Sequence, residues 1–410
     1  MAITLDTSQG HCNSADPSSS VAGSVITLVP RTTIYEGNGP NSQTPAIKAS
    51  GVNGLTPQFK FSDAALIHPW NANETGFFSY DGLSWFPAQL VSHTGGIVTC
   101  QPTAPFAQND VWFAREMLEG YDVITDWLTN TVAHLPYIQQ LQGGSNFIVD
   151  TYSTQTDELG RTVASYPLYG FKIQTGRIGK KTAGLISGVH AGECWATTCF
   201  RKAIEWLCGG DAEAIALRNA FNWVILPLVN APGRDGGHCR AQFQVTAGTN
   251  NDLNRHFSDT TNLFETVTKP RTVLTRELSF GECGIFMDWH VLDGNHTSSD
   301  PPGGYYTGQG SALDAFWQPA INARLGVALI TSIPVGATTY WAVNGTTTGA
   351  PVAQLSEVHE FNDSYTKNLT VAADFGQKSM LALYDILAAG HFTGITAQTP
   401  VGSPFARRVA

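Results

Sequence analysis

Charged side chains are scarce in this chain: Asp, Glu, Lys and Arg make up 14% of its 410 residues. Their balance is acidic, with a formal net charge of -10, which argues against nucleic acid or an anionic membrane surface as a partner. No apolar run approaches the roughly 20 residues needed to span a bilayer. The opening residues, Met1-Ala-Ile-Thr-Leu-Asp6, lack the basic segment and apolar core of a secretory leader, so a cytoplasmic location is the expectation. The seven cysteines are odd in number and never fall in C-x-x-C spacing. That pattern speaks against a disulfide framework, and reduced thiols are expected.

What the chain does have is apolar material and turn formers. Hydrophobic residues reach 42% and glycine numbers 41, enough for a large core with many turns, and the length suggests two domains. Residues 1–20 are rich in Ser, Asp and Pro and read as a poorly ordered arm. Short β-type runs alternate with turn clusters over residues 21–105, among them Val25–Val29, Phe59–Phe61, Gly76–Tyr80 and Gly96–Thr99. This predicts a small all-β sandwich. Its aromatics Trp70, Tyr80 and Trp85 are expected chiefly as core filling, with a carbohydrate platform as the alternative.

Two prolines in Gln101-Pro-Thr-Ala-Pro105 mark an expected boundary. Over 106–410 strand-like and helix-like segments alternate, which predicts an α/β domain built on a mixed, mostly parallel sheet with helices on both faces. Phe200, Ala203, Ile204 and Leu207 recur at helical spacing and place Glu193 at or just before the start of that helix. Tyr121–Leu128 and Val371–Ala389 are also expected as helices, and no internal repeat is evident.

The most informative residues are His190-Ala-Gly-Glu193, directly after the apolar run Ala183–Val189, and the distant Asp288-Trp-His290. A histidine and a glutamate three residues apart can face one ion where a strand turns into a helix, and a second histidine closes a three-ligand zinc set. Three protein ligands leave the fourth tetrahedral position open, the arrangement of a catalytic rather than a structural zinc. His190 and His290 each stand at the carboxyl end of an expected strand, the rim where α/β sheets gather their ligands. Asp288, two residues before His290, is placed either to fix that imidazole's tautomer or to cap a neighbouring loop.

Between these halves lie Asn230-Ala-Pro-Gly-Arg-Asp-Gly-Gly-His-Cys-Arg240 and Asp252-Leu-Asn-Arg-His-Phe257. With them the chain resembles the zinc metallocarboxypeptidase family, the carboxypeptidase A and B type together with the cytosolic carboxypeptidases. The order of motifs is the same: H-x-x-E, an asparagine–proline–glycine segment ending in an arginine, D-L-N-R, a later D-x-H, and a glutamate on a late strand. Ala231-Pro-Gly233 departs from the usual Pro-Asp-Gly. The resemblance implies one zinc ion held by His190, Glu193 and His290. It also implies carbonyl polarisation by Arg240, and a grip on the substrate's terminal carboxylate by Asn254 and Arg255. Cytosolic carboxypeptidases also carry a β-sandwich ahead of the catalytic domain.

A general base is expected in Pro351-Val-Ala-Gln-Leu-Ser-Glu-Val-His-Glu-Phe361. If Val352–Ser356 is a buried strand, Glu357 is the first ionisable group after it. Choosing Glu360 instead would place Glu357 and His359 inside the strand, where unpaired charge is costly. Glu357 is therefore the expected base and Glu360 the alternative. Tyr305, Tyr306 and Tyr340 are candidates for an assisting tyrosine, and the loop Asp300–Tyr306 for a pocket rim. The leading expectation is a carboxypeptidase acting on the C-terminus of a peptide or protein. A zinc amide deacylase of the aspartoacylase and succinylglutamate desuccinylase type, a peptidoglycan-trimming peptidase and a non-catalytic binding protein on the same fold are the alternatives. Oligomeric state is not legible.

Overall fold

The computed structural model describes residues 2–8, 12, 14–31, 45–62, 75–156, 160, 162–175, 180–238, 240, 251–259, 264–278, 283–291, 303–307, 311–325, 328–330, 341–342, 353–361 and 367–395, with backbone alone at 303–307 and 328–330. Tyr340, Trp70 and residues 300–302 of the expected pocket rim lie outside them. Tyr305 and Tyr306 are placed only as positions on a strand.

Among the described residues the first sheet has nine strands: β1 (Thr4–Asp6), β2 (Ser20–Ala22), β3 (Val25–Thr27), β4 (Ala46–Ser50), β5 (Gln58–Ser62), β6 (Gly76–Ser79), β7 (Trp85–Thr94), β8 (Ile97–Gln101) and β9 (Asp110–Ala114). Their order is β1-β4-β9-β6-β7-β8-β5-β3-β2. The long β7 serves both halves, pairing with β6 over Trp85–Ala88 and with β8 over Gln89–Thr94, with a register shift between Leu90 and Ser92. There the sheet folds on itself. Phe59 of β5 stacks on Phe113 of β9 at 4.0 Å although three strands separate them in the sheet, so the two halves share one core in sandwich fashion. Trp85 packs against the hydrophobic core, and the Tyr80 hydroxyl accepts from Ala107 N.

Two expectations about this region are corrected. The segment taken as a poorly ordered arm contains β1, which pairs antiparallel with β4. Its polar residues are used in local turns: the Asp6 carboxylate accepts from Ser8, and that of Asp16 from Ser18. The expected boundary at 105 falls within the β unit, because β9 pairs with β4 and β6. The prolines there interrupt a connection between two strands of one unit.

The second sheet carries the site. Its strands are β10 (Ile138–Gln140), β15 (Phe171–Ile173), β16 (Lys181–Ser187), β17 (Phe221–Leu226), β18 (Cys283–Val291), β19 (Gly303–Thr307), β20 (Ala328–Ile330) and β21 (Leu355–Phe361), in the order β10-β15-β17-β16-β18-β21-β19-β20. The central run β17-β16-β18-β21 is parallel throughout, while β10, β15 and the β19–β21 pair add antiparallel edges. The mixed α/β sheet is therefore as expected. The remaining strands form two small ribbons, β11 (Ile148–Thr151) with β14 (Pro167–Tyr169) and β12 (Gln155–Thr156) with β13 (Thr162–Val163).

Helices cover both faces. They are α1 (Tyr121–Asn130), α2 (Cys194–Leu207), α3 (Ala212–Ala220), the short α4 (Ala231–Asp235), α5 (Glu265–Leu278), α6 (Asp314–Leu325) and α7 (Leu369–Ala388). On one face Met287 and Trp289 of β18 join Phe200 of α2, Trp317 of α6 and Leu383 of α7 in the larger core. On the other, Phe286 of β18 and Ile186 of β16 pack with Val273 and Leu274 of α5. Helices α2 and α7 approach so closely that a Cβ on Gly376 would stand 2.6 Å from the Cys199 carbonyl oxygen and 2.7 Å from Ala203 N. Among the described residues no helix is long and apolar enough to cross a membrane.

Candidate metal centre

Strand β16 ends at Ser187, and Gly188 takes a positive φ of 72°, a turn that a glycine makes without steric cost. His190 follows, and Glu193 is the N-cap of α2. The Glu193 carboxylate does not cap its own helix. It reaches instead to both imidazoles: Oε1 stands 2.7 Å from His190 Nδ1, and Oε2 stands 2.8 Å from His290 Nδ1 while accepting from Val291 N at 3.0 Å. The two Nδ1 atoms are 3.0 Å apart. All three residues are buried, and their ligand atoms lie within 4.8 Å of one another.

The outer nitrogens explain why these atoms converge. His190 Nε2 is 2.9 Å from Asp252 Oδ1, and His290 Nε2 is 2.8 Å from Asp288 Oδ2. At His190 the carboxylate can hold the proton on Nε2, which leaves Nδ1 as the basic atom and fixes the ring; at His290 the aspartate is close as an ion-pair partner, without hydrogen-bond geometry to Nε2. Two imidazole nitrogens and one carboxylate oxygen are a zinc donor set, and ligand atoms about 2.0–2.1 Å from one tetrahedral ion stand roughly 3.3 Å apart. The residues fit the metal by donor type and spacing.

The electrostatics follow from this packing. Burial works to raise the Glu193 carboxyl, but His190 and His290 hold it well below the usual range. For His290, burial works against charge, yet Asp288 and Glu193 push it well above the ordinary imidazole value. Burial would likewise raise Asp252, but His190, Arg240 and Arg255 keep it well below.

Asp252 has more than one partner. Its Oδ1 also accepts from Asn254 N at 2.9 Å, and its Oδ2 faces Arg240 Nη2 at 3.4 Å and Arg255 Nη2 at 3.5 Å. One carboxylate thus ties a histidine of the trio to both arginines expected to touch substrate. Arg240 Nη1 in addition lies 3.8 Å from Glu193 Oε1. Arg240 and Asn254 are buried, whereas Arg255 is partly exposed, with its Nη1 donating to the Asn254 carbonyl. The Asp-Leu-Asn-Arg motif was legible, but Asp252 was given no role in it. Its signal was an acidic residue beside a cluster of cations in a chain with few charges.

The Ala231-Pro-Gly233 departure forms helix α4. Asn230 caps it by accepting from Gly233 N and donates to the Val189 carbonyl at 3.3 Å. Arg234, one of the chain's largest fully buried side chains, was not anticipated. It donates to the carbonyls of Glu119 and Glu193, to Thr197 Oγ1 and to Cys194 Sγ, and so holds the turn between His190 and α2.

Glu357 is not at this site. Expected to follow the strand, it lies within β21, where the ladder sets it beside Met287 and sets Glu360 beside His290. Paired residues on parallel strands share a face, and successive residues alternate. Glu357 therefore points with Met287 toward α6 and α7, and Glu360 points with His290 and Asp288. His359, on the same face as Glu357, bonds Ser379 of α7 at 2.7 Å. The objection to burying these groups is met by loss of charge. Burial, with help from Asp314, raises the Glu357 carboxyl well above its usual value, and burial pushes His359 down to about 3.

Residues 147–275 match the family model for zinc carboxypeptidase. The chain has the zinc carboxypeptidase fold. The matched stretch contains His190, Glu193, Arg240, Asn254 and Arg255, and ends before His290 and Glu360. The structure is similar to a metallo-carboxypeptidase from Burkholderia cenocepacia, with TM-score 0.67 at 16% identity over 95% of this chain and 100% of that one. It is also similar to a metallo-carboxypeptidase from Pseudomonas aeruginosa solved with (2-guanidinoethylmercapto)succinic acid, with TM-score 0.63 at 16% identity over 94% and 99%. No curated protein matches the sequence.

Proposed function

We propose that the chain is a zinc-dependent metallocarboxypeptidase that hydrolyses the C-terminal peptide bond of a peptide or protein, with His190, Glu193 and His290 as the ligands of one zinc ion. The observation that carries this reading is the convergence of both Nδ1 atoms on the Glu193 carboxylate, each ring braced from behind by an aspartate. When bound, zinc supplies Lewis acidity that polarises a carbonyl and makes water a better nucleophile.

The other steps belong to the chain's own groups. Glu360, on the face of β21 that His290 shares across the ladder, replaces Glu357 as the general base; it takes the proton of the attacking water and delivers it to the leaving nitrogen. Arg240, steadied by Asp252 and Glu193, donates to the oxygen that gains charge in the transition state, a contribution on the order of 3 kcal/mol for one such donor. Arg255 offers its planar fork to the substrate's terminal carboxylate, and Asn254 adds a neutral donor beside it.

The test is hydrolysis, by zinc-loaded protein, of paired peptides that differ only in a free or an amidated C-terminus. Release of the last residue from the free acid, and little or none from the amide, is the expected result. Equal cleavage of both would remove the role given to Arg255 and favour a deacylase.

A further inference from the structure

Strands β4 and β9 alternate in what they bury, as the pleat requires. Ile47, Ala49, Val111 and Phe113 enter the core of the β unit. Lys48, Asp110 and Trp112 therefore leave the pair on its other face, with Lys48 directly opposite Trp112 in the ladder. On that face, between the β unit and the start of α1, lies a cavity of about 260 Å³. These three side chains line it, together with the turn at 81–83 and the residues that lead into α1. None of the lining residues belongs to the metal centre.

Four charged side chains line the cavity, and two of them are committed to the fold. The Asp81 carboxylate accepts from Leu83 N at 2.8 Å, from Ser84 N at 2.7 Å, and from the hydroxyls of Ser79 at 2.9 Å and Ser84 at 3.0 Å. It thereby builds the turn that forms one wall. Asp122 stands in the first turn of α1, where a negative charge offsets the helix dipole. Lys48 and Asp110 have no such task. The Lys48 ammonium lies 5.8 Å from the centre of the Trp112 ring. Among the described residues it pairs with no carboxylate, although Asp110 is its diagonal neighbour across the ladder. One oxygen of Asp110 accepts from Asn109 Nδ2 at 3.0 Å, which leaves the other to a ligand.

We infer that this cavity is a binding site for a free α-amino acid with an aliphatic side chain, its carboxylate held by Lys48, its ammonium by Asp110, and its side chain by Trp112, Leu118 and Val123. One available charge of each sign calls for a ligand that carries both. An anion alone would face Asp110, and a cation alone would face Lys48. Helix α1 adds to the attraction for a carboxylate, because its N-cap is Gly120, which has no side chain to satisfy the first N–H groups. The rest of the wall is apolar: Leu118 and Val123 are buried, and so is most of Trp112. The volume falls below the roughly 300–1,000 Å³ of sites for drug-sized molecules, which suits one amino acid rather than a peptide. Leu83 and Asp110 are exposed and mark the side open to solvent. A free amino acid is also what the reaction proposed above releases, but the site is read from the cavity alone and its test needs no activity.

The experiment is isothermal titration calorimetry of wild type with L-leucine, with L-leucinamide, which lacks the carboxylate, and with 4-methylpentanoate, which lacks the ammonium. Lys48→Met and Asp110→Asn are titrated with L-leucine, and their melting temperatures check that they are folded. The expected result is saturable binding of L-leucine to wild type that weakens by about tenfold or more when either charge is removed from ligand or protein. The analogues read the same contacts in the unaltered chain, so a misfolded variant does not decide the outcome. No saturable binding of L-leucine would overturn the site. Either analogue binding as tightly as L-leucine would do so too, since the ligand would then be a simple cation or anion. L-Leucine binding unchanged in both variants would place it elsewhere on the chain and equally overturn the site. The expected titrations in a protein that hydrolyses no peptide would strike the carboxypeptidase reading and support the amino-acid site.

Discussion

Replacing Glu360 or Glu357 by glutamine separates the two faces of β21. Glutamine keeps the size of the side chain and cannot take a proton. A general base must come within about 2.6–3.2 Å of the proton it removes, and only Glu360 leaves the strand on the side of His290. General-base catalysis contributes about 10²–10⁴-fold, or about 2.7–5.4 kcal/mol of barrier, so Glu360→Gln is expected to lower kcat/KM by that range while zinc content stays at the wild-type level. Glu357 is buried, and burial with the help of Asp314 raises its carboxyl well above the usual value, so in Glu357→Gln the glutamine is a close substitute for the form that burial favours. Its kcat/KM should stay within about twofold of wild type. The assay is steady-state hydrolysis of a peptide with a free C-terminus, with zinc measured on the same samples. Loss of activity in folded, zinc-loaded Glu357→Gln together with an active Glu360→Gln would refute the assignment by face.

Asp288→Asn should weaken zinc binding by about 10–100-fold with little change in KM once zinc is saturating. Asp252→Asn should weaken zinc similarly and also raise KM, since Asp252 anchors Arg240 and Arg255 as well as His190; chelator competition and steady-state kinetics read the two effects. The pH dependence of stability in chelator-treated protein carries two opposite signs. Glu357 and Asp314 hold protons more tightly folded than unfolded, burial taking Asp314 to about 7. The stability they contribute is fully present below their unfolded values near 4 and is lost as pH rises through the folded ones. Glu193 and Asp252 have depressed values, so their contribution is present above about 4 and is lost as pH falls further. His359, pushed down to about 3 by burial, adds stability as pH rises to its unfolded value near 6.5. The decline of Tm is therefore expected from about pH 6.5 to pH 8, and less steeply in Glu357→Gln; an unchanged slope in that variant would contradict the raised carboxyl value.

The parts of the architecture that sequence revealed were those with local signals. Apolar spacing fixed α2 and put Glu193 at its start, and the i, i+2 relation of Asp288 and His290 correctly set them on one face of β18. What stayed hidden depended on neighbours. The start and end of β21 were misjudged because Glu357 and His359 were reasoned about as charges, whereas burial raises the Glu357 carboxyl well above its usual value and pushes His359 down to about 3, in both cases favouring the neutral form. The roles of Asp252 and Arg234 arise from partners distant in the chain, which no spacing rule reports. Thr4–Asp6 and Asp110–Ala114 entered the first sheet by pairing with β4, a choice of partner that composition does not encode.

Zinc stoichiometry combined with an anomalous-scattering map at the zinc edge addresses the proposed ligand set itself. One ion per chain, bonded to Nδ1 of His190, Nδ1 of His290 and the Glu193 carboxylate, is the expected result, with binding lost in His190→Ala and in His290→Ala. Full zinc content in either variant, or an ion held elsewhere on the chain, would contradict it.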